Sequence, residues 1–459
     1  MFIDNHKPAI RTGDFVLHCA RVKIWQEIQT GIQLFGHGTI KINPTGCLYL
    51  EFICTETENL PNVFFNQKIP EDALLEEQKL FLEVESLDGD IFVSSGFSIT
   101  VNMNTCRAPS CMYIFLSEIS STSEPENYSD KPNYLHFEFS EHFDIPANKM
   151  NSESSTLGSM SSSWNETVIE ADDISISMVK KDSYVTVNAI GEFDTNIVLE
   201  CLQFYIGFSG GAMLQPYISI RRTGAEKTTT IHSINNSYKH KRSSNPMVSS
   251  VVEKDYKESH YQLFKSMLDL RATKPKVYES IYSQWNQVWH SFQSKNAITS
   301  LTLSVAIEGL LNDIFIPAIK KNVKDEELEK DIKHIKTLVS DLEISTQHKE
   351  RLISSVSYWK NVTAAKALEY LVGEGVITTD EKKLWTKLRN DCAHPKVRDA
   401  SLASQQVDRD RVLSCLNLFH NLIFNVLKYS GPRFYFRVGS KSNTFDMIEH
   451  KEVLSVTVE

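Results

Sequence analysis

The feature that most constrains this chain is a change of hydrophobic period near residue 256. Before it, apolar residues come in short runs or alternate with polar ones, as in strands. After it they recur every three or four residues, as on an amphipathic helix. Strands followed by helices point to an α+β multidomain fold: a β-rich, sandwich-like N-terminal half and then an all-α helical bundle. A chain of 459 residues also exceeds one ordinary core, so two to four domains are expected.

Residues 1–150 read as one β-rich domain. Runs such as Cys47–Ile53 and Ile91–Val93 are bounded by polar turns. Leu135, Phe137 and Phe139 alternate with His136 and Glu138, the pattern of a half-buried strand. Ser120 to Asp130 reads as a loop, and the Ser-rich segment 151–163 as a linker. A second β-rich segment, 164–235, carries Ile174/Ile176, Val185/Val187 and Tyr217/Ile218/Ile220 and is expected to pack with the first. A basic, polar linker at 236–256 follows. The wider run from Arg221 and Arg222 through Lys227 to Arg242 reads as solvated linker, with electrostatic guidance of RNA as the alternative.

In the helical half, 257–430, Tyr278, Ile281, Tyr282, Trp285, Trp289 and Phe292 form one stripe of a helix. The next helix, about Ala297 to Ile316, is apolar on two sides. Leu303, Ile307, Leu310 and Ile314 form one stripe, and Leu301 and Val305 lie nearly opposite, so this helix is expected at the centre of a bundle. Helical segments follow near 325–340, 346–358 and 362–373. Thr378 with Glu381 makes a capping box that opens a helix through Leu384, Trp385 and Leu388. A last long helix runs from about Gln405 to Tyr429, before Gly431-Pro432. The tail, 431–459, is β-like.

A net charge of −10 argues against a surface that coats nucleic acid, but not against a local basic cleft. The first residues lack the basic start and apolar run of a signal peptide. The best apolar stretch, Leu301 to Leu311, is interrupted by Glu308, so no membrane span is expected. Eight scattered cysteines without a Cys-x-x-Cys pair suggest a reduced, cytoplasmic protein with no metal site. P-loop, dinucleotide and EF-hand patterns are absent, and no cofactor is expected.

The sharpest constellation is Arg389-Asn390-Asp391-Cys392-Ala393-His394, followed by Pro395, at the end of a predicted helix. Arg389 offers a permanent planar charge whose fork of donors matches a phosphate. His394 can give or take a proton near neutral pH. RNA carries its own nucleophile, the 2′-hydroxyl. Its cleavage needs a base, an acid and positive charge at the pentacoordinate phosphate, with no metal in principle. One histidine cannot readily make both proton transfers, whereas two protomers would supply two. By chance, Arg, any four residues and His occurs with an expectation of about 0.4 in such a chain, and Asn after Arg lowers that to a few hundredths. The competing reading pairs Arg389 with Asp391 or a nearby acid and lets His394 merely end a helix.

The stretch Leu384–Pro395 resembles the signature helix end of the HEPN superfamily, and Ala306-Ile-Glu-Gly-Leu-Leu311 resembles that family's first core helix. The resemblance covers about 257–430. It implies a four-helix core, a homodimer and RNA cleavage leaving a cyclic phosphate. Arg389 and His394 would then be catalytic, with Asn390 assisting. Separately from the resemblance, Glu308 shares a helix face with Leu301 and Val305, and a carboxylate there needs a partner: it orients Arg389 or His394, or it is an ordinary salt bridge or an exposed edge of the bundle. A β-rich front half before such a domain is similar to ApeA-type antiphage proteins, which implies that the front half restrains the nuclease until a phage-derived trigger arrives.

Three weaker signals remain. Gly207-Phe208-Ser209-Gly210-Gly211 matches a nucleophile elbow in form, but the following Tyr217–Ile220 reads as a strand, so a tight turn between strands is expected. Trp285 and Trp289 have core spacing before any base-stacking role. His420 reads as a core or interface histidine rather than a ligand. The expectation is a metal-independent endoribonuclease, and the alternative is a non-catalytic HEPN-like scaffold for RNA or protein.

Overall fold

A computed structural model describes residues 2–72, 75–123, 132–139, 145, 147–154, 160–171, 173–211, 213, 215–234, 245–247, 256–292, 294, 296–322, 326–393, 401–436 and 444–451. The chain divides into two compact units. The first comprises Met1–Glu200, Met213–Lys241 and Ser249–Val251; the second comprises Cys201–Ala212, Arg242–Val248 and Val252–Glu459. A β-rich half thus precedes a helical half, as the change of period predicts.

In the first unit, an antiparallel ladder of fourteen strands runs through the described residues between Val16 and His232. Alternation buries one face: the strand Val16–Gln26 buries Leu17, Cys19, Val22 and Ile24. Its register shifts between Cys19 and Val22, which leaves Ala20 and Arg21 both exposed without moving the rest of the inward face. Phe15, Leu34, Ile40, Leu50, Phe52 and Ile114 lie at the centre of this core.

Several expectations need correction. Residues 151–154 and 160–163 are strand rather than linker: Lys149–Ser154 and Met160–Ala171 pair antiparallel, while 155–159 lie outside the described residues. A backbone ladder requires no apolar side chain, so Ser-rich composition did not report it. Arg221, Arg222 and Lys227 belong to the paired strands Ile218–Thr223 and Glu226–His232. The rest of that basic run, 235–244, lies outside the described residues; of the expected loop Ser120–Asp130, residues 120–123 belong to the strand Glu118–Ser123 and 124–130 lie outside the described residues. Two helices, α1 (Phe2–Thr12) and α2 (Thr195–Gly210), stand where only strands were expected. Asp194 caps α2, its Oδ1 accepting from the Asn196 backbone N–H at 2.8 Å. Ser209 therefore ends a helix rather than turning between strands, and the strand that an elbow needs before its serine is missing.

The strand Asn133–Phe139 is buried on both faces rather than one. Glu138 sinks with its partners. Its Oε2 accepts from Arg11 Nη2 at 2.7 Å and from the Tyr217 hydroxyl at 2.7 Å. Its Oε1 meets Lys7 Nζ at 3.0 Å and His136 Nε2 at 3.1 Å. Lys7 and Arg11 both sit on α1, so one carboxylate ties that helix to the sheet.

The second unit contains α3 (Tyr256–Thr273), α4 (Pro275–Ser291), α5 (Asn296–Leu310), α6 (Ile316–Asn322), α7 (Glu326–Ser340), α8 (Thr346–Ser357), α9 (Ala364–Gly373), α10 (Thr379–Ala393) and α11 (Leu402–Val426). A π-helical turn, Leu311–Phe315, joins α5 to α6. Pro317 follows it; proline lacks an N–H and crowds the carbonyl four residues back, and a widened turn relieves both. Helix α5 packs against α4, α10 and α11, the central place expected of it. Ala297–Lys321 is long and apolar enough to cross a membrane, yet most of it is buried within the protein. Leu303, Ile307, Leu310 and Ile314 are buried, but Ile298, Leu301 and Val305 are exposed, so the second apolar side of α5 faces outward.

The capping box at Thr378 forms. Glu381 Oε2 accepts from the Thr378 N–H at 2.7 Å, and Thr378 Oγ1 accepts from the Glu381 N–H at 3.2 Å. The other Glu381 oxygen accepts from Asn421 Nδ2 at 2.9 Å, and Asn421 Oδ1 accepts from buried Arg433. Arg433 lies in the strand Gly431–Tyr435, which pairs with Thr444–Ile448. Trp285, Trp289 and His420 are core residues; burial, with Arg433 nearby, pushes the His420 imidazole down to about 3, so it is neutral.

Burial by itself would raise the Glu138 carboxyl. Bonds from His136, Tyr217, Arg11 and Lys7 outweigh it and hold the group far below the usual carboxylate range. Its stabilisation is therefore complete above about pH 4.3, the ordinary glutamate value, and is lost progressively as pH falls below it. Glu138→Gln should cost about 3 kcal/mol near neutral pH, because it leaves two cations without their anion. Thermal unfolding of both proteins from neutral to acid pH should show a constant gap that narrows below about pH 4.3. A gap of undiminished size in acid would contradict this.

Candidate active site

The site is built where α10 ends. Its buried face holds Trp385 and Leu388, and Trp385 Nε1 donates to the Ser304 carbonyl of α5 at 3.3 Å. That anchor fixes the rotation of α10 and turns the next residue, Arg389, outward.

Arg389 meets Glu308 of α5 in a two-pronged pair. Nε donates to Oε2 at 2.9 Å and Nη2 donates to Oε1 at 3.1 Å. This fork geometry constrains the guanidinium plane as one bond would not. The ring of Trp385, one turn earlier, lies 5.9 Å from the guanidinium carbon and adds a cation–π contact. The Glu308 bonds push the Arg389 pKa up, so its charge is permanent. Nη1 takes no part in the pair and is the donor group left for a ligand. The side chains are 49% and 31% exposed, so solvent reaches the pair.

Of the four sequence candidates, Glu308 and Arg389 therefore come together. Asn390 follows Arg389 on α10 and is exposed. His394 lies outside the described residues, as do its neighbours through 400. The acid that competes for an arginine in the motif, Asp391, does not take Arg389. Its Oδ2 accepts from Arg411 Nη1 of α11 at 2.6 Å, and Arg411 also approaches Asp408 at 3.5 Å.

Arg411 was missed in the sequence reading. The signal lay in its position next to Val412 on the inward stripe of α11, where a cation must carry a partner inward. Its pairing with Asp391 joins the last turn of α10 to α11, three residues before His394 in the sequence. Among the described residues, no cluster of three or more His, Cys, Asp or Glu side chains is placed to hold a metal ion.

The two ion pairs should differ in weight. Glu308→Gln removes an exposed pair and should cost less than about 1 kcal/mol. Asp391→Asn leaves Arg411, 7% exposed, short of its nearest anion and should cost about 3 kcal/mol. Urea unfolding midpoints will rank them; the reverse order would make the Glu308 pair structural. Compared with family models, with curated proteins and with solved structures, the chain matches none.

Proposed function

We propose that the helical unit is a HEPN-type, metal-independent endoribonuclease that acts as a homodimer. The observation that carries this reading is the solvent-reachable Arg389, oriented by Glu308 at the end of α10, five residues before His394. In the mechanism, a base takes the proton of the 2′-hydroxyl, whose oxygen attacks the adjacent phosphorus. The bond to the 5′-oxygen breaks, and an acid protonates that leaving oxygen, giving a 2′,3′-cyclic phosphate and a 5′-hydroxyl. Arg389 meets the developing charge of the phosphate, Asn390 helps hold the guanidinium or phosphate, and His394 carries the proton. Glu308 acts through Arg389, fixing the plane of its donors.

Both proton transfers call for a second imidazole. The exposed apolar stripe of Ile298, Leu301 and Val305 on α5, adjoining Glu308, suits a symmetric contact with a second copy. In this proposal the protein is cytoplasmic and serves in antiphage defence by abortive infection. Its β-rich unit would hold the nuclease silent until a phage-derived trigger binds.

One observation favours the alternative scaffold. Glu308 neutralises the cation it orients, and Asp391 and Asp408 do the same to Arg411. A phosphate site would then need further positive charge, which Lys396 and Arg398 supply by sequence.

Purified protein incubated with single-stranded RNA and EDTA decides between them. The ribonuclease should cleave, and His394→Ala should lower the rate by about 10²–10⁴-fold. Growth arrest of phage-infected cells that express the wild type, relieved by Arg389→Ala, would report the same activity where the trigger is supplied. Equal cleavage by wild type and variant, or no cleavage together with infected-cell growth that neither protein changes, supports the scaffold. Sedimentation of the active preparation should give a dimer; an active monomer would remove the paired-histidine mechanism.

A further inference from the structure

A second feature of the helical unit lies between α8 and α9. Tyr358–Lys360 forms a single 3₁₀ turn. It leaves Tyr358 67% and Trp359 46% exposed, although such rings are usually largely buried. The segment that carries them is rich in cations. From Ser345 to Lys366 there are four cations, Lys349, Arg351, Lys360 and Lys366, against one acid, Glu350, in a chain whose net charge is −10. Lys349 Nζ donates to the Ser340 carbonyl at 2.6 Å and Lys366 Nζ to the Trp359 carbonyl at 2.7 Å. The second bond ties the turn to the start of α9, and the first ties α8 to the end of α7. Arg351 and Lys360 are exposed.

The turn leads directly into α9, which packs against α10 and against the π-helical turn that follows Glu308. Only Glu374 to Thr378 separate α9 from α10, so the chain doubles back. A ten-residue helix is about 15 Å long. The start of α9 therefore falls beside the later part of α10, at the level of Arg389.

We infer that Tyr358 and Trp359, with Arg351 and Lys360, form a stacking platform that holds single-stranded RNA next to Arg389, an inference that rests on the ribonuclease reading. Every base has a π-face, so rings of this kind bind single strands with little regard to sequence, while cations follow the backbone. A duplex hides those faces. A protein partner would also cover two rings, but the local excess of cations in an acidic chain matches a polyanion.

The test is the affinity of a short fluorescent single-stranded RNA, in EDTA, for the full-length His394→Ala protein, in which cleavage cannot confuse binding. Tyr358→Ala with Trp359→Ala should raise the Kd at least about fivefold without shifting the unfolding midpoint. Tyr358→Phe with Trp359→Phe, which keeps the rings, should restore it. Arg351→Gln with Lys360→Gln should flatten the logarithmic salt dependence by about 0.7 for each phosphate contact removed. An unchanged Kd without the rings overturns the platform, as does a parent protein that binds no RNA, and loss of a co-purifying protein alone would assign the surface to a protein partner. Wild-type cleavage is scored separately. A platform that binds while the wild type never cuts refutes only the nuclease; cutting with an unchanged Kd refutes only the platform.

Discussion

The site depends on a guanidinium held in one plane. Arg389 is long, and on an exposed helix end it would ordinarily sample many rotamers. Two bonds to Glu308, at 2.9 and 3.1 Å, and the ring of Trp385 beneath remove most of that freedom before any ligand arrives. The pair contributes little to stability, because both side chains remain half open to water. What it supplies is preorganisation. A donor group already aimed need not be ordered during the reaction, and that is where positioned charge has its value in catalysis.

Everything that aims Arg389 comes from the packing of three helices. The central α5 supplies Glu308 and the Ser304 carbonyl, α10 supplies Arg389 and Trp385, and α11 supplies Arg411, which grips Asp391 two residues further on. The capping box at Thr378 fixes where α10 begins, and the link from Glu381 through Asn421 to Arg433 ties that start to α11 and the C-terminal hairpin. A helix fastened at both ends carries its last turn in a defined orientation. The β-rich unit has its own equivalent in Glu138, where one buried carboxylate fastens α1 to the sheet.

Legibility in the sequence followed burial. The helices of the second unit were readable because Tyr278, Ile281, Trp285 and Trp289, or Val412, Leu416, Phe419 and Ile423, must all face one core, and a core imposes a period. The Thr378–Glu381 box was readable because its chemistry is local. Elements that avoid those two conditions were not. The strands at 151–154 and 160–163 rest on backbone pairing amid serines. Helix α2 is apolar nearly all round, so a periodic stripe does not stand out, and its Gly207 and Gly210 mimic a turn. Strand Asn133–Phe139 looked half-buried because His136 and Glu138 are polar; the partners that let them sink lie more than fifty residues away in sequence. Within the site, the sequence pointed to Arg389, Asn390 and His394, with Glu308 either supporting them or forming an ordinary salt bridge, but which acid holds which arginine was a tertiary fact. Asp391 was the near candidate for Arg389, and it belongs to Arg411.

The central claim is that RNA supplies the nucleophile and the protein supplies only positioned charge and protons. End-group analysis of the cleaved RNA tests it most directly, using a parallel substrate with 2′-deoxyribose at each cut site. The account predicts 2′,3′-cyclic phosphate and 5′-hydroxyl ends, and no cleavage wherever the 2′-oxygen is missing. Products ending in 3′-hydroxyl and 5′-phosphate, or equal cleavage of the deoxy substrate, would contradict it.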